Sequence, residues 1–448
     1  MRILIAGAGD VGYHLAKLLA YEEQDIVLID KDQDKLTYAA SNLDVVTIKG
    51  NSTSYRTLEE AGISKADLLI SVTSSEEANL TTAMIGKHLG AKKTIARIQN
   101  EEYLFDKEKL DLQKLGIDEL ISPESLAARE IKRLLKDVNI TDNFDFDGGR
   151  LSLVGLSIDN DSPLLNMSMR DVAHLNPDQN FITVAILRKS ETIIPHGDNQ
   201  FLLGDHAYFI VQPNGVEHVL NLAGKKTEKM PIKNIMIVGG SKIGVLAAKR
   251  LGKKFSVKLI EKNRDKCMSL AEELKDVLVI NGDGRDIELM SNEGIENMDV
   301  FISVTGNTEG NIISCLMAKN INVRKTIALV ENIDYIHLSQ NIGVDTMINK
   351  KLIAANFIFR YLRKGNVISL TSIHGVDAEV LEFIVEKGTK ITKKKIKDLG
   401  FPKSAIIGGV VRDGDGYITM GDFQFQPNDR AVVLCRPNCV HAVEEFFK

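Results

Sequence analysis

The sequence is poor in three features that would each mark a class of protein. It has four cysteines in 448 residues, which we interpret as thiols in a reducing compartment. Lysine and arginine total 56 against 61 aspartates and glutamates, and the net charge of −5 lacks the basic footprint of a nucleic-acid-binding protein. No apolar run approaches the roughly 18 residues of a membrane-spanning helix. We therefore expect no nucleic-acid partner and no membrane span.

The start of the chain and its cysteines suggest a cytoplasmic protein without a metal. A strand predicted from Arg2 leaves no room for a signal peptide. Cys435, Cys439 and His441 have spacing that could suit a metal, but Cys435 ends an apolar strand, where a buried thiol is the simpler interpretation. We predict no metal site.

A glycine-rich turn at the start of the chain recurs, imperfectly, 232 residues later. The first copy is ILIAGAGDVG from Ile3 to Gly12, and the second is IMIVGGSKIG from Ile235 to Gly244. The same offset relates three further pairs of positions: Gly50 and Gly282, Ser71-Val72-Thr73 and Ser303-Val304-Thr305, and Asn79 and Asn311. The chain is therefore a tandem duplication of a nucleotide-binding unit.

The pattern of apolar runs predicts four domains. Short β-rich runs alternate with helical stretches up to a helix at 124–136, which is typical of a doubly wound parallel sheet. Shorter strands with turns rich in Asp, Asn, Pro and Gly follow and indicate a small α+β domain. We predict a Rossmann-like domain at 1–137, a small domain at 138–224, a linker at 225–231, a second Rossmann-like domain at 232–364 and a second small domain at 365–448.

The first glycine turn has the form G-x-G-x-x-G that binds a dinucleotide. Gly7 makes the tight turn, Gly9 lets the backbone approach a pyrophosphate, and Gly12 lets helix and strand pack closely. The N–H groups around Gly9 to Val11 would then face an anion, and Ala8 is counted among the residues of the same predicted site. Asp10 would oppose a phosphate there, so we expect its side chain to point away.

A carboxylate and several polar residues complete the predicted site. Asp30 ends the second strand, where it can accept hydrogen bonds from ribose hydroxyls and would repel a 2′-phosphate, so NAD(H) or ATP and ADP fit better than NADP. The alternative is that Asp30 only caps the following helix. The predicted strand ends also bring Gly50, Asn51, Thr73, Ser74 and Arg97 to this edge. Arg97 could bind a phosphate or form an inter-strand salt bridge.

The second copy departs from the first at two positions. Ser241 replaces the central glycine, where its side chain would intrude on a pyrophosphate, and Leu329 replaces Arg97. We expect this site to bind a nucleotide more weakly, to prefer a smaller one, or to be vacant. Its candidate residues are Gly239, Gly240, Ser241, Lys242, Ile243, Gly244, Glu261, Asp283 and Thr305.

The sequence offers no convincing catalytic residue. A nicotinamide-dependent dehydrogenase needs a proton donor or acceptor beside the cofactor, and none of the nine histidines is placed at a predicted strand end facing it. We therefore predict a protein that is not an enzyme. An NAD-dependent oxidoreductase of unknown substrate and a nucleotide-binding scaffold without a transporter remain as alternatives.

The sequence resembles the TrkA family of cytosolic regulators of potassium uptake, which contain two RCK repeats. The resemblance covers the whole chain and is carried by GAGDVG at 7–12, Asp30, SVTSSEEAN at 71–79 and IARI at 95–98, and in the small domains by DSPL at 161–164 and IIPHGD at 193–198. It implies a homotetrameric gating ring of eight RCK units on a membrane-embedded potassium translocating subunit. The helices at 123–136 and 350–363 could pack between such units.

Overall fold

The computed structural model describes residues 1–20, 24–105, 111–135, 140, 142–189, 191–225, 231–332, 335, 343–359, 367–373 and 376–448. Most of the predicted linker, 226–230, lies outside them. Within the described residues, no helix has both the length and the apolar character of a membrane span.

The first sheet is parallel and has the order β3-β2-β1-β4-β5-β6. Its strands are β1 Arg2–Ala6, β2 Asp25–Asp30, β3 Val46–Lys49, β4 Leu68–Ser71, β5 Lys93–Arg97 and β6 Glu119–Ile121. The helices between and after them are α1 Asp10–Ala20, α2 Gln33–Asn42, α3 Tyr55–Glu60, α4 Glu76–His88, α5 Glu102–Phe105 and α6 Pro123–Leu134. The predicted Rossmann-like fold is confirmed. The three-residue strand β6 was not predicted, because so short a run carries no readable periodicity.

An antiparallel sheet follows, with the order β10-β9-β11-β8-β7. It consists of β7 Asp142–Phe146, β8 Leu151–Ser157, β9 Phe181–Arg188, β10 Glu191–Ile193 and β11 His206–Val211, with helices α7 Met169–His174 and α8 Gly215–Leu222. This is the α+β domain that the turn-rich sequence indicated. The edge strand β7 was missed, since its alternation of aspartate and phenylalanine is short and starts in a polar stretch.

The second half repeats both sheets. The parallel sheet has the order β14-β13-β12-β15-β16-β17 and is followed by an antiparallel sheet of order β18-β19-β22-β20-β21. The parallel strands are β12 Asn234–Val238, β13 Ser256–Glu261, β14 Leu278–Asn281, β15 Val300–Ser303, β16 Lys325–Leu329 and β17 Thr346–Ile348. Their helices are α9 Lys242–Gly252, α10 Arg264–Glu273, α11 Ile287–Asn292, α12 Thr308–Asn320 and α13 Lys350–Phe359.

The last sheet contains β18 Val367–Ser372, β19 Glu379–Ile384, β20 Ala405–Arg412, β21 Asp415–Ile418 and β22 Arg430–Cys435, and helix α14 spans Val440–Glu444. The strand order matches that of the first antiparallel sheet, so the internal repeat extends to the small domains. Cys435 and Cys439 are buried, and neither forms a disulfide.

The chain forms two compact units, and one of them combines separate parts of the sequence. The first contains Met1–Ala127 together with Lys350–Ile358, and the second contains Ala128–Asn349 with Phe359–Lys448. Most of α13, which follows the last strand of the second parallel sheet, therefore packs with the first Rossmann-like domain. In that helix Ala354, Ala355 and Ile358 are fully buried. The four-domain boundaries stay a prediction, because compactness groups the chain differently.

Candidate functional site

The predicted residues of the first site lie at one edge of the first sheet. The glycine turn joins β1 to α1, Asp30 ends β2, Gly50 and Asn51 follow β3, Thr73 and Ser74 follow β4, and Arg97 ends β5. In a parallel sheet these carboxyl ends face the same way, and the strand order reverses between β1 and β4. The crevice at such a switch point is where open α/β sheets bind ligands.

The glycines of this turn meet the steric demands that the sequence predicted. Gly7 has φ of +110°, and a Cβ at Gly12 would lie 1.8 Å from the carbonyl oxygen of Gly7. A Cβ at Gly9 would meet no atom within 4 Å. Gly7 and Gly12 are therefore required by the turn itself, whereas Gly9 borders open space through which a phosphate could approach the backbone.

Asp30 is oriented by two backbone N–H groups. Ala8 donates to Oδ2 at 2.6 Å and Asp32 donates to Oδ1 at 2.9 Å. Each carboxylate oxygen can accept a further bond, so two acceptor positions remain for ribose hydroxyls. The alternative that Asp30 caps α2 is wrong, since the N-cap is Asp32, whose carboxylate accepts the N–H of Asp34.

Asn79 holds the loop after β4 and was not identified as a site residue. Its Oδ1 accepts from the backbone N–H and the hydroxyl of Thr73 at 2.8 and 2.7 Å, and its Nδ2 donates to the carbonyls of Thr73 and Arg97. This side chain is 1% exposed. The repeat pattern had drawn attention to the position, but its role depends on contacts that the sequence does not display.

Arg97 forms an ion pair inside the first unit. One guanidinium nitrogen lies 3.3 Å from Oε1 of Glu124 on α6, and the two side chains are 19% and 14% exposed. The pairing is with a helix and not between strands. Arg97 at the strand end is thus engaged by a carboxylate, and its predicted contact with a phosphate stays a prediction.

Asp10 lies beside a lysine of the distant helix α13. Its Oδ2 is 3.2 Å from Nζ of Lys351, and the two side chains are 79% and 17% exposed. Lys351 had not been identified from the sequence, where 341 positions separate it from Asp10. The negative charge that seemed to oppose a phosphate in the turn is therefore balanced by a cation.

The second copy reproduces the carboxylate geometry. Glu261 accepts the N–H of Gly240 at Oε2, 3.0 Å away, and the N–H of Asn263 at Oε1, 2.7 Å away. Asn311 holds Thr305 through its Oδ1, as Asn79 holds Thr73. Gly239 has φ of +104°, and a Cβ at Gly244 would lie 2.0 Å from the carbonyl oxygen of Gly239.

Ser241 caps α9 and borders the cavity at this strand edge, so the predicted intrusion of its side chain on a pyrophosphate stays a prediction. Its hydroxyl donates to the carbonyl of Val304 at 2.6 Å and accepts the N–H of Gly244 at 3.3 Å. Lys242 and Ile243, also predicted to bind, follow it in the first turn of the helix. The hydroxyl uses one N–H of the turn internally, which is a different physical reason for weaker phosphate binding.

The surroundings of Glu261 are richer in cations than those of Asp30. Lys266 lies 3.7 Å from Glu261, while Lys262 and Arg285 pair with Asp283 at 3.0 and 2.7 Å. Hydrogen bonds from Arg285, and then from Lys262, hold the pKa of Asp283 well below its usual range. A cavity of about 340 Å³ lies at this strand edge and is bordered by Glu261, Asp283 and Thr305. Its volume is in the range of small-molecule sites.

Family models match both halves of the chain. The TrkA-N domain matches residues 3–123 and 235–350, and the TrkA-C domain matches 153–224 and 380–448. The chain is 34% identical to the Trk system potassium uptake protein TrkA homolog of Archaeoglobus fulgidus over the full length of both. It is also 34% identical to the Trk system potassium uptake protein TrkA of Haemophilus influenzae, covering all of this chain and 99% of that one.

Solved structures with similar folds include RCK proteins at 14% identity. The GsuK RCK domain matches with a TM-score of 0.61 over all of this chain and 94% of that one. The GsuK channel bound to NAD also has a TM-score of 0.61, over 100% of this chain and 78% of that one. GsuK bound to ADP matches with a TM-score of 0.51 over 81% of this chain and 69% of that one. At this identity the likeness establishes the fold.

Proposed function

This chain belongs to the TrkA family, and we propose that it is a nucleotide-binding regulatory subunit of a potassium uptake system. In this role it converts occupancy by NAD(H) or an adenine nucleotide into conformational control of a membrane-embedded potassium translocating subunit. The observation that carries the proposal is the carboxylate at each glycine turn, held by two backbone N–H groups with acceptor positions left over. The names of the full-length relatives support the link to potassium uptake.

The first site suits an adenosine nucleotide without a 2′-phosphate. Asp30 can accept hydrogen bonds from both ribose hydroxyls, and such charge-assisted bonds contribute roughly 1.5–3 kcal/mol each. A 2′-phosphate would meet that carboxylate at close range. NAD and ADP, each bound in a solved structure with this fold, share the ribose that Asp30 would bind.

We assign the protein no reaction. A ligand shifts a conformational equilibrium only by its differential affinity for the two states, and coupling of about 1–3 kcal/mol is usual. We infer a homotetramer on the cytoplasmic face of the membrane, attached through the translocating subunit. The resemblance to gating-ring proteins supports this assembly.

Calorimetric titration of the full chain with NADH, NAD, NADPH, ATP and ADP tests the proposal. Asp30→Ala should weaken binding of the adenosine nucleotides at the first site by at least about tenfold, since one or more charge-assisted bonds are lost. Asp25→Ala is the matched control, because this aspartate begins the same strand and its side chain is 53% exposed. Ligand recovered unchanged would support a sensor, whereas turnover of NADH would support an oxidoreductase.

Measurements of potassium uptake in cells test whether nucleotide binding regulates transport. Cells that depend on this chain and its membrane partner should lose the nucleotide dependence of uptake when Asp30 is replaced. Unaltered regulation of uptake by a variant that no longer binds nucleotide would contradict the proposal.

A further inference from the structure

We propose that Lys351 binds the phosphate groups of the nucleotide held by the first glycine turn, exchanging its ion pair with Asp10 for the phosphate. This inference rests on the proposed function, because it assumes that the turn holds a nucleotide. It adds a phosphate-recognising residue from the second repeat to the site in the first.

The position of the amine is the first argument. Asp10 is the first residue of α1, and Nζ of Lys351 lies 3.2 Å from its Oδ2. The backbone N–H groups that begin this helix, with its dipole, favour an anion. The stem of Lys351 is largely buried, and its amine reaches a carboxylate that is 79% exposed. A largely buried stem therefore holds the amine beside the first residue of α1.

The weakness of the existing pair is the second argument. The carboxylate of Asp10 is largely exposed, so water screens the pair and it contributes little stability. A phosphate at the turn would stand close to Asp10, and the repulsion between them favours movement of the carboxylate toward solvent. A charge-assisted bond from lysine to phosphate is the stronger interaction, so the exchange is favourable. The gain increases with the phosphate charge of the ligand.

The repeat provides a third argument. At the position of Asp10 the second repeat has Lys242, and at the position of Lys351 the first repeat has Glu124. The second turn thus carries a lysine of its own, whereas the first turn carries an aspartate. In the first repeat the glycine turn itself carries no such lysine, and the structure has one beside Asp10 on α13.

The origin of Lys351 gives the contact a regulatory consequence. Only Asn349 separates α13 from β17, and Nδ2 of Asn349 donates to the carbonyls of Val330 and Glu331 just beyond β16. Lys351 is the second residue of the helix that starts there. A phosphate bound by Lys351 therefore contacts a helix that begins directly after β17 and Asn349 in the chain. A nucleotide with more phosphate groups would hold that helix more firmly.

Titration of the full chain with adenosine, ADP and ATP tests this role. The step that belongs to the first site is the one that Asp30→Ala removes. Lys351→Met keeps the apolar stem and removes the charge. We expect it to lower the affinity of this step for ATP about tenfold or more and the affinity for ADP by less. The affinity for adenosine should not change. Lys351→Arg should retain the preference for ATP. Asp10→Asn should tighten ATP several-fold, since it removes the competing carboxylate.

Lys92→Met is the matched control. Lys92 pairs with Asp67 and precedes β5, so it lies at the end of the strands opposite the glycine turn. Removing its charge should leave the affinities for adenosine, ADP and ATP unchanged. Thermal unfolding of Lys351→Met establishes that the fold is retained. An equal loss for adenosine and ATP, or an unchanged affinity for ATP, overturns the inference while leaving the site intact. No Asp30-dependent binding in the unmodified chain would overturn the proposed function, and this inference with it.

Discussion

At the scale of single residues, the ion pair between Arg97 and Glu124 is enclosed within the first unit. Oε2 of Glu124 and Nε of Arg97 are buried and have no hydrogen-bond partner within the part of the chain that the structure describes. Each group therefore depends strongly on the one contact at 3.3 Å. Removing either charge leaves the other in a poorly solvated place, which costs more free energy than the pair itself contributes.

Arg97→Ala should lower the free energy of unfolding by about 1–3 kcal/mol, because Glu124 is left with a buried charge. Adding Glu124→Gln should restore part of that loss, since the amide needs no counter-charge. Denaturant unfolding of the two variants measures the difference. A double variant that is less stable than Arg97→Ala would contradict this account of the pair.

His14 is the residue from which a pH dependence is expected. Burial, followed by repulsion from Lys17 and Lys351, lowers the pKa of His14 from 6.5 to about 4. Its Nε2 is buried and has no hydrogen-bond partner among the described residues. In the unfolded chain this imidazole is protonated below pH 6.5, whereas in the native state it stays neutral until about pH 4. The native state therefore loses stability relative to the unfolded chain as the pH falls through this window.

His14→Gln should lose less stability than the unmodified chain on acidification. Between pH 7 and pH 5 the difference in unfolding free energy between the two proteins should change by about 2 kcal/mol in favour of the variant. Denaturant unfolding at both pH values provides the measurement. His88→Gln, at an exposed histidine of α4, serves as the control. A parallel pH dependence of His14→Gln and the unmodified chain would exclude the effect.

At the scale of elements, a buried lysine joins strand β16 to the end of helix α6. Lys325 is 1% exposed, and its Nζ donates to the carbonyl oxygens of Leu134 and Ile140, each at 2.7 Å. Leu134 is the last residue of α6, where helix carbonyls lack partners within the helix. The amine therefore satisfies a helix end and the chain segment that leads into β7.

Lys325→Met should lower the free energy of unfolding by about 2–4 kcal/mol, because two buried carbonyls lose a charged donor. Lys93→Met is the matched control, since Lys93 occupies the corresponding position of β5 in the first repeat and is exposed. Thermal and denaturant unfolding compare the two variants. Equal stabilities would mean that water or another donor replaces the Lys325 amine at no cost.

At the scale of the whole molecule, the two glycine turns should differ in affinity. Both present an oriented carboxylate, but Ser241 uses the N–H of Gly244 in the second turn, and three cations, Lys262, Lys266 and Arg285, surround its carboxylates. The first turn has instead a cation supplied by α13. Duplication has thus kept an oriented carboxylate at both turns while the charge around each turn has diverged.

Titration of the full chain with NADH should therefore yield two steps of unequal affinity. Asp30→Ala should remove the tighter step, and Glu261→Gln should affect the weaker one, because each carboxylate serves its own turn. A single binding step with two equivalent sites, whose affinity falls equally with either substitution, would contradict the expected difference in affinity between the two turns.

Much of the fold and part of the site could be predicted from the sequence, because they depend on local rules. The turn from Gly7 to Gly12 needs glycine for steric reasons, and a carboxylate at the end of β2 lies at the correct edge in any parallel sheet. The repeat located the second turn and Glu261 in the same way. Strands β6 and β7 escaped prediction because short elements take their structure from the strands they pair with.

The duplication, the two parallel sheets with their small domains and the carboxylates that face the glycine turns follow from the sequence alone. Periodicity, glycine sterics and strand polarity act over a few residues and can be read there. The partner of each charge depends on how the folded chain packs. These partners are Lys351 for Asp10, Glu124 for Arg97, and the carbonyls of Leu134 and Ile140 for Lys325. These contacts join positions far apart in the chain, and the packing of α13 with the first unit brings Lys351 to the turn.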